Sequence, residues 1–312
     1  MKRVAYMFPG QGSQSVGMGK IFYDSYDEIK ELYQQANDWL GKDITSLMFE
    51  GPNELLTETE NTQPALLLSS IAVQRLLQKE GVEPVMAVGH SLGEYSALVA
   101  AGAVTLEQAL PLVQTRGRLM EEAFPKGKGS MAAVLGLEQE KIELALGEIR
   151  EEVVDIANLN CPGQIVISGS KEGIEQASVV LKEQGAKRVI PLNVSGPFHS
   201  RLMKAANEKF TEYLNKIDFQ DAKIPVYANV SAKPVLNHNE IKDLLIKQLY
   251  SPVRFEESIR NMMQDGVDAF VEVGNGKVLS GLLRKIDRKV KCFAIQDIDS
   301  MNNFLSWLRE EE

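Results

Sequence analysis

Residues 84–102, "PVMAVGHSLGEYSALVAAG", constrain the fold more than any other stretch of the chain. A short apolar run stops at Gly89, Ser91 stands between Gly89 and Gly93, and a helix-forming run follows at once. Gly-x-Ser-x-Gly between a strand and a helix is a nucleophile elbow, a sharp turn that exposes a serine hydroxyl at the end of a sheet. The two glycines permit close backbone approach, and the helix N-terminus turns free N–H groups toward the serine. The elbow alone leaves two readings open: a serine that hydrolyses a bond, or one that holds an acyl group and passes it on.

The surroundings repeat the pattern of short apolar run and amphipathic segment. "RVAYMF" (3–8), "PVMAVG" (84–89), "PVYANV" (225–230), "DAFVEVG" (268–274) and "VKCFAI" (290–295) read as strands. Segments 64–81 and 240–250 read as helices, and strands alternating with helices predict a parallel sheet covered on both faces. "FPKGKGS" (124–130) reads as a linker. Beyond it come strand 131–137, helix 138–150, strand 153–159, the turn "NCPG", strand 164–169, helix 171–185 and strand 187–194. That βαββαβ order is the ferredoxin-like arrangement. The expected fold is therefore an α/β-hydrolase-like domain with a parallel sheet (1–127 and 195–312), interrupted by a small ferredoxin-like domain (128–194). A cleft between the two is the natural ligand site.

Composition narrows the function. The 312 residues carry 34 Lys+Arg against 43 Asp+Glu, a net charge of −9, which argues against a general nucleic-acid binder. Cys161 and Cys292 cannot build a disulfide framework, and neither they nor the scattered His90, His199 and His238 suggest a metal site. The apolar run at the start stops at Pro9, too short for a signal segment, and no run approaches the length of a membrane helix. A cytoplasmic protein is expected. The acidic end "REEE" reads as a solvated helix terminus.

A serine hydroxyl needs a base and a dipole for the oxyanion it forms. The Leu92 amide, next after Ser91, is the expected donor. His90 adjoins the serine and points elsewhere on the turn, so it supports the elbow; His238, in the polar "LNHNEI", reads as surface. His199, in "NVSGPFHSRLM", lies where the small domain returns to the large one and is the candidate base, a satisfied structural histidine being the alternative. Thr105 and Gln108 fit a capping box for a helix whose apolar stripe runs Leu106, Leu110, Val113, Gly117 and Met120, with Pro111 weakening its regularity. Arg116 falls on the buried side and Arg118 away from it. A buried guanidinium needs an anion, either a structural Asp or Glu or a substrate carboxylate. "FPGQGSQSVGMG" (8–19) lacks the GK[ST] of a phosphate loop; it is an ordinary strand-to-helix turn or it brings the Gln11 amide to an oxyanion.

Taken in order, "FPGQGSQ", "ENTQPALL", "GHSLGEYSAL", "QTRGRLM", "NCPGQIVISG", "SGPFHS", "KQLYSPV" and "VGNGKVLSGLL" resemble the malonyl-CoA:acyl carrier protein transacylases of bacterial type II fatty acid synthesis. The resemblance spans nearly the whole chain. It implies Ser91 as acylated nucleophile, His199 as base and later acid, the backbone amides of Gln11 and Leu92 as oxyanion hole, and Arg116 on the malonyl carboxylate. It further implies that the Gln248 carbonyl orients His199, that Gln63 and Asn160 line the site, and that transfer runs by a ping-pong path. No bound cofactor or metal is implied; malonyl-CoA is the implied substrate, with phosphopantetheine carried by the acyl carrier protein, and a monomer is expected. Asn275 departs from the proline common in the family, which alters turn rigidity and no catalytic group. Residues 277–291 carry six Lys or Arg against one acid, read either as a docking face for an acidic carrier or as a solvated helix face. A serine esterase or thioesterase, a non-catalytic acyl-CoA- or carrier-binding module, and a transacylase for another acyl unit such as methylmalonyl are the rival readings.

Overall fold

Strand β1 (Val4–Phe8) is buried at every position, and its side chains alternate between two cores. Val4, Tyr6 and Phe8 enter one apolar cluster, Ala5 and Met7 another. The two-residue period of a strand thus demands cover on both faces. The computed structural model describes residues 2–125 and 127–310; Lys126 of the expected linker and Glu311 and Glu312 of the expected solvated end lie outside the described residues.

The remaining strands are β2 (Met86–Gly89), β3 (Gly129–Leu135), β4 (Val154–Cys161), β5 (Gln164–Ser170), β6 (Arg188–Pro191), β7 (Val226–Tyr227), β8 (Pro234–Val235), β9 (Ala269–Val273) and β10 (Lys291–Ile295). They form a six-stranded sheet ordered β10-β9-β1-β2-β7-β8 and a four-stranded sheet ordered β4-β5-β3-β6. In the first, β1, β2, β7, β9 and β10 run parallel, whereas β8 pairs antiparallel with β7. The expectation of a parallel sheet therefore needs one correction at this edge. "PVYANV" also forms only two residues of strand: Asn229 leaves the ladder because its side chain holds the turn after β2.

The helices expected from periodicity lie where it puts them, and their ends move for local reasons. The expected 64–81 helix begins at Thr59, because Glu121 accepts the Thr59 amide at 2.7 Å and satisfies the first turn. Pro64 therefore sits inside the helix rather than at its start. The 240–250 helix is His238–Gln248, capped by the Asn237 side chain. Thr105 and Gln108 do form a capping box, and the helix Leu106–Glu122 runs through Pro111 unbroken.

The four-stranded sheet is antiparallel throughout, and the βαββαβ order of 129–191 is observed. Helices Gln139–Gly147 and Lys171–Glu183 cover one face through Ile142, Ala145, Ile174 and Leu181. The other face sets Met131, Ala133 and Val166 against Met120, Phe198 and Leu249. The edge strand β4 is also stitched to residue 253: the Leu159 amide donates to the Val253 carbonyl and the Val253 amide to Ala157, at 2.9 and 2.8 Å. This second interface fixes Phe198 and Leu249, the neighbours of His199 and Gln248. A groove of about 670 Å³ opens beside it, with Leu146, Asp155 and Ile156 on one wall and His199, Lys204 and Tyr250 on the other.

Candidate active site

Ser91 has φ +53° and ψ −106°, a conformation that a residue with a Cβ adopts only under constraint. The constraint is visible. A Cβ on Gly89 would overlap the Gly93 backbone, and one on Gly93 would overlap the Phe8 carbonyl, so strand, turn and helix touch through bare backbone. Asn229 clamps the turn: its Oδ1 accepts the Ser91 amide at 2.8 Å and its Nδ2 donates to the Gly89 carbonyl at 2.6 Å.

His199 Nε2 stands 2.8 Å from Ser91 Oγ. Its Nδ1 faces two carbonyl oxygens, of Gln248 at 3.0 Å and Ser251 at 3.1 Å. Carbonyls only accept, so Nδ1 carries the hydrogen and Nε2 is left as the acceptor for the serine proton. Among the described residues no carboxylate bonds to this imidazole. Burial, and next the charge of Arg116, push its pKa down to about 3, which favours the neutral form that can accept a proton.

Arg116 is fully buried on the helix Leu106–Glu122. Its Nη1 donates to Gln63 Oε1 and its Nη2 to Gln248 Oε1, both at 2.9 Å. Nη2 also lies 3.2 Å from Ser91 Oγ, and Nε has no partner. The guanidinium lies over the Tyr95 ring at 5.5 Å. Among the described residues it forms no ion pair: its two firm partners are neutral amide oxygens. Arg118, by contrast, lies at the surface near Glu122.

The Gly93 and Glu94 amides donate to the His90 and Ser91 carbonyls, whereas those of Leu92 and Gln11 have no protein acceptor among the described residues. Gln11 lies in the turn after β1; a Cβ on its neighbour Gly10 would overlap the His90 carbonyl, so this turn abuts the elbow. Its side chain reaches away to Thr59. Gln63 touches Arg116, while Asn160 meets His90 Nε2 at 2.8 Å and so supports the turn from β4. His238 is half-buried at the surface and pairs with Asp221. Asn275 uses its amide to hold the Ser13 carbonyl and Ser15 hydroxyl, tying the turn after β9 to the turn after β1.

Three groups were not foreseen: the Gln248 side chain, Glu94 and Asn229. Glu94 is buried in the first turn of the helix Leu92–Ala100, where Oε2 accepts Gln248 Nε2 at 2.7 Å and the Asn229 amide at 3.1 Å. Burial pushes its pKa up to about 7, against the pull of those donors and of Arg116. The available signal was polarity in apolar runs, "LGEYSALV" and "PVYANV". Among the described residues no group of three or more His, Cys, Asp or Glu could hold a metal, both cysteines are free, and no helix is long and apolar enough to cross a membrane.

A model of the acyl transferase domain family matches residues 5–296, and the chain is an acyltransferase. A Bacillus subtilis (strain 168) protein named malonyl CoA-acyl carrier protein transacylase is 51% identical, with 100% of this chain and 99% of that protein covered. The crystal structure of an acyl carrier protein S-malonyltransferase from Vibrio cholerae O1 biovar eltor superposes with a TM-score of 0.95 at 44% identity, covering 97% of this chain and 99% of that one. A malonyl-transacylase in complex with a holo type II PKS acyl-carrier protein superposes with a TM-score of 0.95 at 41% identity, over 97% and 99% of the two chains. Within the acyl transferases, the chain belongs to the malonyl CoA-acyl carrier protein transacylases.

Proposed function

We propose that this enzyme transfers malonyl from malonyl-CoA to the phosphopantetheine thiol of an acyl carrier protein, by a ping-pong path through a malonyl ester on Ser91, supplying fatty acid synthesis. In the first half, His199 Nε2 takes the proton of Ser91 Oγ as the oxygen attacks the thioester carbonyl. The Gln11 and Leu92 amides receive the oxyanion, and its collapse breaks the C–S bond and expels the CoA thiolate, which takes the proton from His199. In the second half, the carrier thiol gives its proton to Nε2 and attacks the serine ester. The second oxyanion then collapses with loss of Ser91 Oγ, which recovers the proton. The Gln248 carbonyl keeps the imidazole in the required tautomer, and Gln63 and Asn160 support the site.

The observation that carries this reading is Arg116: a buried cation without an ion-pair partner, within 3.2 Å of Ser91 Oγ. A malonyl carboxylate beside the serine would supply the missing anion, and an acetyl group would not. Arg116→Ala is expected to lower the ratio of kcat/KM for malonyl-CoA over acetyl-CoA by about ten- to a hundredfold, the worth of a charged hydrogen-bonded pair. An unchanged ratio would remove the arginine from this role.

The finer architecture belongs to the same proposal: a hydrolase-like domain (1–127 and 195–312) and a ferredoxin-like insertion (128–194), which the strand order β4-β5-β3-β6 supports. The enzyme works as a cytoplasmic monomer with no bound cofactor, away from nucleic acid and membrane. Its partner is acidic, and Arg284, Lys285, Arg288, Lys289 and Lys291 around one surface hollow supply a complementary face.

A further inference from the structure

We infer that Glu94 is a positioning residue: by accepting from Gln248 Nε2 it fixes that side-chain amide with Oε1 toward Arg116, and so sets the enzyme's preference for carboxylated acyl groups. The inference rests on the role proposed for Arg116.

Glu94 is only 3% exposed and, among the described residues, has no ion-pair partner. A carboxylate so placed is costly unless hydrogen bonds satisfy it, and its Oε2 takes two, from Gln248 Nε2 and the Asn229 amide. Gln248 thus lies between a group that only donates and one that, ionised, only accepts. Arg116 Nη2 gives to its Oε1 at 2.9 Å, and its Nε2 gives to Glu94 at 2.7 Å. One orientation of the amide satisfies both neighbours; the flipped one turns N–H groups toward the guanidinium and oxygen toward the carboxylate. The Ser91 carbonyl and, at longer range, Asn229 Oδ1 also accept from Nε2, at 3.0 and 3.4 Å. Both contacts are longer than the one to Glu94. On the other side of Arg116, the Gln63 amide has, among the described residues, only the weakly accepting Met120 sulfur at 3.2 Å for its Nε2. Glu94 is thus the nearest partner of the amide that faces the guanidinium. Burial and the Arg116 charge already act on its ionisation in opposite directions, as expected of a carboxyl built into this network.

The test compares kcat/KM for malonyl-CoA and acetyl-CoA in the full chain as wild type, E94Q, E94M and R116A. A loss of folded or active protein lowers both values equally and leaves their ratio unmoved, whereas a displaced guanidinium lowers the malonyl value alone. E94Q keeps an oxygen facing Gln248 and is expected to hold the ratio within about threefold. E94M removes the acceptor and is expected to lower it by about tenfold or more. Where E94M does not fold, E94D withdraws the carboxylate by one methylene and is expected to lower the ratio by about threefold. A wild-type ratio in E94M or E94D, or a fall in E94Q as deep as that in E94M, overturns the inference. If R116A also keeps the wild-type ratio, the role of Arg116 fails first; if R116A loses it and E94M does not, only Glu94 is removed.

Discussion

His199 is aimed by backbone. Two carbonyls fix its Nδ1 hydrogen, and a left-handed φ of +59° at His199 itself turns the ring into the site. Its pKa is lowered from 6.5 to about 3, first by burial and next by Arg116. The sign is definite: a lowered imidazole pKa keeps the base neutral as pH falls, so activity is not lost where an ordinary histidine titrates. The rate of Ser91 sulfonylation by phenylmethylsulfonyl fluoride is expected to stay level through pH 6.5, with its acid limb well below that value. In Arg116→Ala the limb is expected to move upward, because a neighbouring positive charge is gone. A limb at 6.5 in the wild type would contradict this environment. Ser91, His199 and Arg116 were legible in the sequence because each lies in a local pattern: an elbow, a glycine-proline turn, a buried helix stripe. The Gln248 side chain was not, because its partner Arg116 is 132 positions away and its own helix gives no sign of which end of the amide faces inward.

Among the elements, the elbow depends on contacts that no larger side chain allows. Gly93→Ala would drive a methyl into the Phe8 carbonyl, at a position where β1, β2 and the helix Leu92–Ala100 converge. A cost of about 2–3 kcal/mol is expected from overpacking, read as a lowered midpoint of chemical denaturation, with loss of Ser91 reactivity. A stable, fully reactive variant would show that the turn relaxes freely. The elbow's strand and helix, the βαββαβ order and the capping box were all readable from period and turn chemistry. β8 and the early end of β7 were not. Two-residue strands carry no periodicity, and Asn229 leaves the ladder for a tertiary reason, its grip on Ser91 and Gly89. Thr59 likewise starts its helix on a carboxylate from a different helix.

In the whole molecule, the antiparallel sheet buries one face under its own helices and lays the other on Met120, Phe198 and Leu249. That second contact holds the loop bearing His199 against the helix bearing Arg116, so a base and a cation from distant parts of the chain meet at one serine. A groove of about 670 Å³ has His199 in its lining, while Ser91 itself is only partly exposed. Under the proposed path, an ester on this serine is partly shielded from bulk water until the carrier thiol arrives. Intact-protein mass after brief mixing with malonyl-CoA, and again after adding reduced acyl carrier protein, tests this most directly. The wild-type chain is expected to gain one malonyl group and to lose it as malonyl-carrier appears, while Ser91→Ala gains nothing. Free malonate with no adduct, or an adduct that survives in Ser91→Ala, would contradict transfer through this serine.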